Sequence, residues 1–61
     1  MPVPKDPYML LSWVNMKLRD SYPSLSELGY AEGADPEEIL HRLEAAGYGY
    51  SEKENRFIPK G

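Results

Sequence analysis

Between Ser24 and Tyr48 the chain is punctuated more heavily than anywhere else, and that punctuation leaves few ways to fold. Ser24 followed three residues later by Glu27 is a capping box, and Gly33 is placed to end the helix that the box begins. Asp35 and Pro36 supply an N-cap and a first-turn residue, and Gly47 supplies a second stop. The stretch reads as two short helices, over 24–31 and 36–46, joined by a glycine-containing turn. That is the rhythm of a helix-turn-helix unit.

Upstream, Asp6 caps another helix and Pro7 takes its first position, where a missing N–H costs nothing. This helix is expected over 6–21, because Pro23 disfavours helical geometry at Tyr22. Residues 1–5 hold two prolines and no periodicity, so an extended or frayed arm is expected. At 100° per residue the first helix carries two apolar stripes. Leu10, Leu11, Val14 and Leu18 form the core face, while Met9, Trp13 and Met16 lie almost opposite. Ser12, Asn15 and Arg19 make up the polar arc, with Lys17 between the stripes. The second helix relies on Leu25, Leu28 and Tyr30. The third buries Ile39, Leu40, Leu43 and Ala46 and turns Glu37, Glu38, His41, Glu44 and Ala45 outward, with Arg42 at the edge. The expected core is Leu11, Val14, Leu18, Leu28, Ile39, Leu40 and Leu43, closed on one side by Tyr50 and Phe57.

After Gly47 the period changes from 3.6 to 2. Tyr48-Gly49-Tyr50 and Arg56-Phe57-Ile58 flank the polar residues 51–55, which predicts a β-hairpin over 48–58. Asn55 suits a left-handed position at the end of its turn. Pairing Ser51 with Arg56 sets Tyr50 opposite Phe57 on one face. An isolated hairpin is marginal in water, so that face should lie on the helices, with the Met9–Trp13–Met16 stripe as the natural receiver. Pro59 is expected to end the pairing. The fold class is mainly α: three short helices in a helix-turn-helix-like arrangement plus a C-terminal β-hairpin, a miniature winged-helix-like domain.

Sixty-one residues make a single domain, 1–61, and a chain of this size buries only about 60% of its unfolded surface. With no cysteine there is no disulfide and no Cys-based zinc site. The longest apolar run, Met9 to Val14, is interrupted by Ser12 and falls far short of the ~20 residues that span a bilayer. No secretory leader pattern opens the chain, so a cytoplasmic protein is expected. The net charge is −3 and unevenly spread. Lys5, Lys17 and Arg19 slightly outweigh Asp6 and Asp20 in residues 1–23. In residues 24–54, Arg42 and Lys53 face Glu27, Glu32, Asp35, Glu37, Glu38, Glu44, Glu52 and Glu54. The helix-turn-helix portion is thus the acidic part, the reverse of what phosphate binding favours.

The opening run Lys5-Asp6-Pro7-Tyr8-Met9-Leu10-Leu11-Ser12, followed by Val14-Asn15 and Lys17-Leu18-Arg19-Asp20, resembles the start of a small bacterial family known only as a domain of unknown function. Leu25, Leu43, Gly47-Tyr48, Tyr50 and Asn55 are similar to the remainder of that family. The resemblance covers nearly the whole chain and implies a stand-alone bacterial protein of about 60 residues. It implies no activity, so it assigns no functional residues.

Candidate sites are few. His41, with Glu37 before it and Glu44 after it, presents an imidazole and carboxylates on one helical face. Di-metal bundles pair Glu-x-x-His with inward carboxylates from neighbouring helices, whereas the order here is His-x-x-Glu with no matching set. A solvated helix face is the expected role, and no metal or cofactor is assigned. Nucleophilic catalysis needs a nucleophile, a base and an orienting group in reach. Ser12, Ser21, Ser24, Ser26 and Ser51 read as surface, cap and turn residues, so no enzyme is expected. DNA reading would place the third helix in the major groove, where Glu37 and Glu38 would repel phosphates. Under that alternative, His41, Arg42, Lys53 and Arg56 are the candidate contacts of an accessory or regulator. Met9, Trp13 and Met16 are the sharper lead, because methionine adapts to irregular surfaces and tryptophan anchors interfaces. They are equally consistent with core packing. The expected function is a non-catalytic protein-interaction or self-association module, its partner another protein or a second copy, without a membrane.

Overall fold

Each helix begins and ends on a residue that answers its unpaired backbone groups. In the computed structural model, which describes residues 3–60, α1 spans Pro7–Asp20, α2 Leu25–Glu32 and α3 Pro36–Ala45, followed by β1 Tyr48–Ser51 and β2 Arg56–Pro59. The Asp6 carboxylate accepts from the Tyr8 and Met9 N–H groups, Ser24 Oγ from Glu27, and Asp35 from Glu37. These bonds satisfy donors that a helix N-terminus otherwise leaves open. Gly33 closes α2 in the left-handed region at φ 71°, and the Ala34 N–H behind it donates to the Gly29 carbonyl. The expected elements are present in the expected order, with ends displaced by a residue or so. Met1 and Pro2 of the expected arm, and Gly61, lie outside the described residues.

The core is where the helices converge. Leu10, Val14 and Leu18 from α1, Leu25 and Leu28 from α2, Ile39 and Leu43 from α3, and Phe57 from β2 are buried together. Leu11, Leu40 and Tyr50, expected inside, are half-buried around this cluster. Leu10 and Leu25 take the interior places instead. Tyr30 points to solvent, 91% exposed. Ala34 of the link between α2 and α3, and Pro36 at the start of α3, crowd Gly29. A Cβ there would lie 2.5 Å from Pro36 Cγ and 2.7 Å from the Ala34 carbonyl, so the tight turn needs glycine at that position.

β1 and β2 pair antiparallel in the register Tyr48–Pro59, Gly49–Ile58, Tyr50–Phe57 and Ser51–Arg56. The Tyr50 and Phe57 rings sit 5.4 Å apart, and Asn55 adopts the left-handed φ of 54° expected of it. Pro59 is itself the last paired residue of β2, one beyond the expected end at Ile58. The Lys60 N–H donates to Gly47 O at 2.8 Å, and because pair types alternate along an antiparallel ladder, Tyr48–Pro59 falls on a non-hydrogen-bonded pair. Proline's missing N–H removes no ladder bond there.

By the same alternation the N–H and C=O of Phe57 point away from β1, toward α1. Asn15 meets both: its Oδ1 accepts the Phe57 N–H at 2.8 Å and its Nδ2 donates to the Phe57 carbonyl at 3.2 Å. The side-chain amide stands in for a third strand. This seats the hairpin on the Leu11–Asn15–Leu18 side of α1, not on the Met9–Trp13–Met16 stripe where apolar pattern alone had placed it. Nor does the N-terminal arm fray at its described end. Val3 packs on the core, and the Pro4 carbonyl accepts from Arg42 Nη1 at 3.4 Å.

A polar clasp joins α1 to α2. Tyr22 Oη donates to Glu32 Oε2 at 2.5 Å, and Lys17 Nζ lies 3.8 Å from the same oxygen. The Tyr22 hydrogen bond, helped by the Lys17 charge, holds the Glu32 carboxyl below the ordinary carboxylate range against its partial burial. The same bond, with burial, raises the Tyr22 hydroxyl. A depressed carboxylate stabilises the fold above its unfolded value, and that stabilisation is lost as pH falls through the folded value. Glu32→Gln is therefore expected to melt below the parent at pH 7. The gap should narrow as acid takes the solution below the ordinary carboxylate range. A gap that stays constant down the acid limb in thermal unfolding would refute the clasp.

Candidate functional site

Docking of the hairpin on one side of α1 leaves the other side uncovered, and the three residues of the second stripe divide there. Met9 is 64% exposed and Met16 44%. Trp13, between them, is half-buried and packs against the core cluster. Its indole Nε1 is enclosed and meets no acceptor among the described residues. Lys17 Nζ stands 6.0 Å from its ring centroid, within cation–π range. The stripe thus has a rigid aromatic floor and two flexible thioethers standing above it. Tyr8, 65% exposed, continues the apolar surface toward the groove between α1 and the hairpin turn.

Charge frames this patch at both ends. Lys5 is exposed ahead of the helix, and Asp20 is exposed at its last residue. Asp20 accepts from the neighbouring Arg19 at 3.0 Å, which holds its carboxyl below the usual range and raises the guanidinium. Such an exposed pair is worth little in itself. Arg19 Nη2 also donates to Asp20 Oδ2 at 3.3 Å, and the Asp20 side chain remains exposed.

The residues named for nucleic acid lie on α3 and on the hairpin. His41 is exposed on the outer face of α3 beside Glu37, Glu38 and Glu44. Arg42 is half-buried and turned to the Pro4 carbonyl. Arg56 lies 3.3 Å from Glu54, and Lys60 lies 3.8 Å from Glu44. Lys53 is exposed in the hairpin turn between Glu52 and Glu54. The resulting surface mixes both signs and has no basic stripe for a phosphate backbone to follow. Among the described residues no three of His, Asp and Glu gather closely enough to hold a metal ion. Ser24 is used as the α2 cap, and Ser51 Oγ accepts the Glu54 N–H. No helix among the described residues is long and apolar enough to cross a membrane.

Sequence reasoning missed Asn15, which it assigned to the solvated arc. One signal was available: asparagine is a poor helix former, and at mid-helix on the border of the core face it suggests a side chain engaged elsewhere. Tyr50 was expected as a packing residue. Its hydroxyl also accepts the Leu25 N–H at 3.3 Å and donates to Asn55 Oδ1 at 2.6 Å.

Residues 4–57 match the family model described as Domain of unknown function (DUF4250), and the chain belongs to that family. No curated protein and no solved structure matches it.

Proposed function

We propose that this member of the family is a non-catalytic interaction module that presents the outward face of α1 to another protein or to a second copy of itself. The observation that carries the reading is the exposure of Met9 and Met16 on a helix whose opposite side already supplies Leu10, Val14 and Leu18 to the core. The hairpin, which also offers an apolar face, is held on the other side of α1 by Asn15. Exposed thioethers beside a packed tryptophan are the composition of adaptable protein-binding surfaces. A catalytic reading has less support, since Ser24 and Ser51 serve a cap and a turn and His41 lies among acids on the outer face of α3. A nucleic-acid reading asks for cations that are instead turned to Pro4, Glu54 and Glu44.

The test is site-specific photo-crosslinking in the producing cell, with the reactive side chain placed at Met9, at Met16 and, as control, at Glu38. Discrete adducts are expected from positions 9 and 16 and not from position 38. No discrete adduct from either methionine position, or the same adducts from all three, would overturn the reading.

A further inference from the structure

The outward face of α1 is self-complementary, and we infer that it pairs with the same face of a second copy in antiparallel orientation; this rests on the interaction reading above and names its partner. At 100° per residue Met9, Met16 and Asp20 fall within about 40° of one another, so they form one stripe. Lys5 precedes Met9 by four residues, one position outside the Asp6 cap. Along this stripe the order is cation, thioether, thioether, carboxylate. The polar residue Ser12 and the edge of Trp13 mark its middle.

A two-fold axis between Ser12 and Trp13 sets Met9 of one copy against Met16 of the other and Lys5 against Asp20, each contact occurring twice. Lys5 and Asp20, the charges at the two ends of the stripe, thus each face the opposite sign. A parallel in-register pair would stack Lys5 on Lys5 and Asp20 on Asp20, opposing like charges at both ends. Antiparallel helix dipoles favour the same choice. Among the described residues the hairpin docks on the Asn15 side, and its turn reaches this face only along the groove it shares with Met16, Ser12 and Tyr8. The patch offers on the order of a few hundred Å² per copy, short of the ~800 Å² per partner of a standard interface. The dimer is accordingly weak, concentration-dependent and weakened by salt.

Charge reversal tests both the partner and the orientation, read by sedimentation equilibrium up to about 1 mM, where weak pairs populate. Lys5→Glu and Asp20→Lys each place an acidic or basic end of the helix where its macrodipole favours it, so neither is expected to unfold the chain. Each reversal alone turns two attractive contacts repulsive and should lower the association constant about fivefold or more. The double variant Lys5→Glu/Asp20→Lys should recover the parent value to within about twofold, and Met16→Glu should lose association by more than tenfold. Association indifferent to the single reversals, or not recovered by the double, would overturn the antiparallel pairing. A parent that stays monomeric throughout would overturn self-pairing itself. Either failure is distinct from that of the interaction reading, which depends on adducts at positions 9 and 16 whatever their mass.

Discussion

Leu43→Ala is expected to lower stability by about 2–5 kcal/mol, the range for a leucine removed from a packed core. Leu43 is fully buried on α3, the helix that packs against α1, α2 and β1. At ~0.05–0.15 kcal/mol per residue, a chain of this length has about 3–9 kcal/mol of stability in all. The substitution therefore removes a large part of it. With a midpoint shift of about 4–8 °C per kcal/mol for a domain this small, even the low end moves the transition by roughly 10 °C. Leu43→Met, which keeps volume and apolarity, should cost less than about 1.5 kcal/mol. Thermal and denaturant unfolding measure both. If Leu43→Ala melts within a degree or two of the parent, the third helix does not face the core as described.

What a sequence reveals of such a fold depends on how local the responsible physics is. Asp6, Ser24, Asp35 and Gly33 act within four residues of themselves, so their roles follow from spacing alone. The hairpin register was legible for the same reason, since a polar turn of fixed length sets Tyr50 opposite Phe57. The side of α1 that receives the hairpin was not. Hydrophobic attraction has no direction, and α1 offers two apolar stripes that could each have served. The choice is made by directional groups, the Phe57 N–H and C=O and the Asn15 amide, which lie 42 positions apart in the chain. The Gly29–Pro36 contact escaped notice likewise, because close approach depends on the path of a turn rather than on any residue's propensity. The candidate surface was half legible. Met9, Trp13 and Met16 were visible as a stripe, but the burial of Trp13 and the openness of the methionines followed only from where the hairpin settled.

Asn15, Tyr50 and Asn55 are among the residues that carry the family resemblance, and in the structure all three hold the hairpin to the helices. Such positions report on the fold. A resemblance resting on them says little of what the outward face of α1 meets, and the stripe residues have to be tested for that directly.

Asn55 concentrates more of this architecture than any other polar residue, and its replacement is the second large expected effect. Its Nδ2 donates to the Leu18 carbonyl at 3.3 Å and to the Tyr22 carbonyl at 2.9 Å, while its Oδ1 accepts from Tyr50 Oη. Leu18 O is one of the carbonyls that the end of α1 leaves without an intrahelical partner. Tyr50 Oη in turn takes the Leu25 N–H at the start of α2. One side chain in the hairpin turn thus closes the end of α1 and, through Tyr50, the beginning of α2. The reverse amide orientation would set its oxygen against two carbonyl oxygens, so the partners fix which atom is which. Asn55→Ala removes all three bonds, each worth about 1 kcal/mol net. It also holds a Cβ-bearing residue with no local hydrogen bond at φ 54°, at a cost of about 1–2 kcal/mol. The expected loss is about 3–5 kcal/mol, near the limit of what the domain tolerates. Asn55→Gly keeps the backbone conformation at ease while deleting the same bonds, and should recover about 1 kcal/mol or more of that loss. Denaturant unfolding of the two variants separates strain from hydrogen bonding. If alanine and glycine are equally mild, within about 0.5 kcal/mol of the parent, neither the amide network nor the left-handed turn holds the corner between α1 and α2 together.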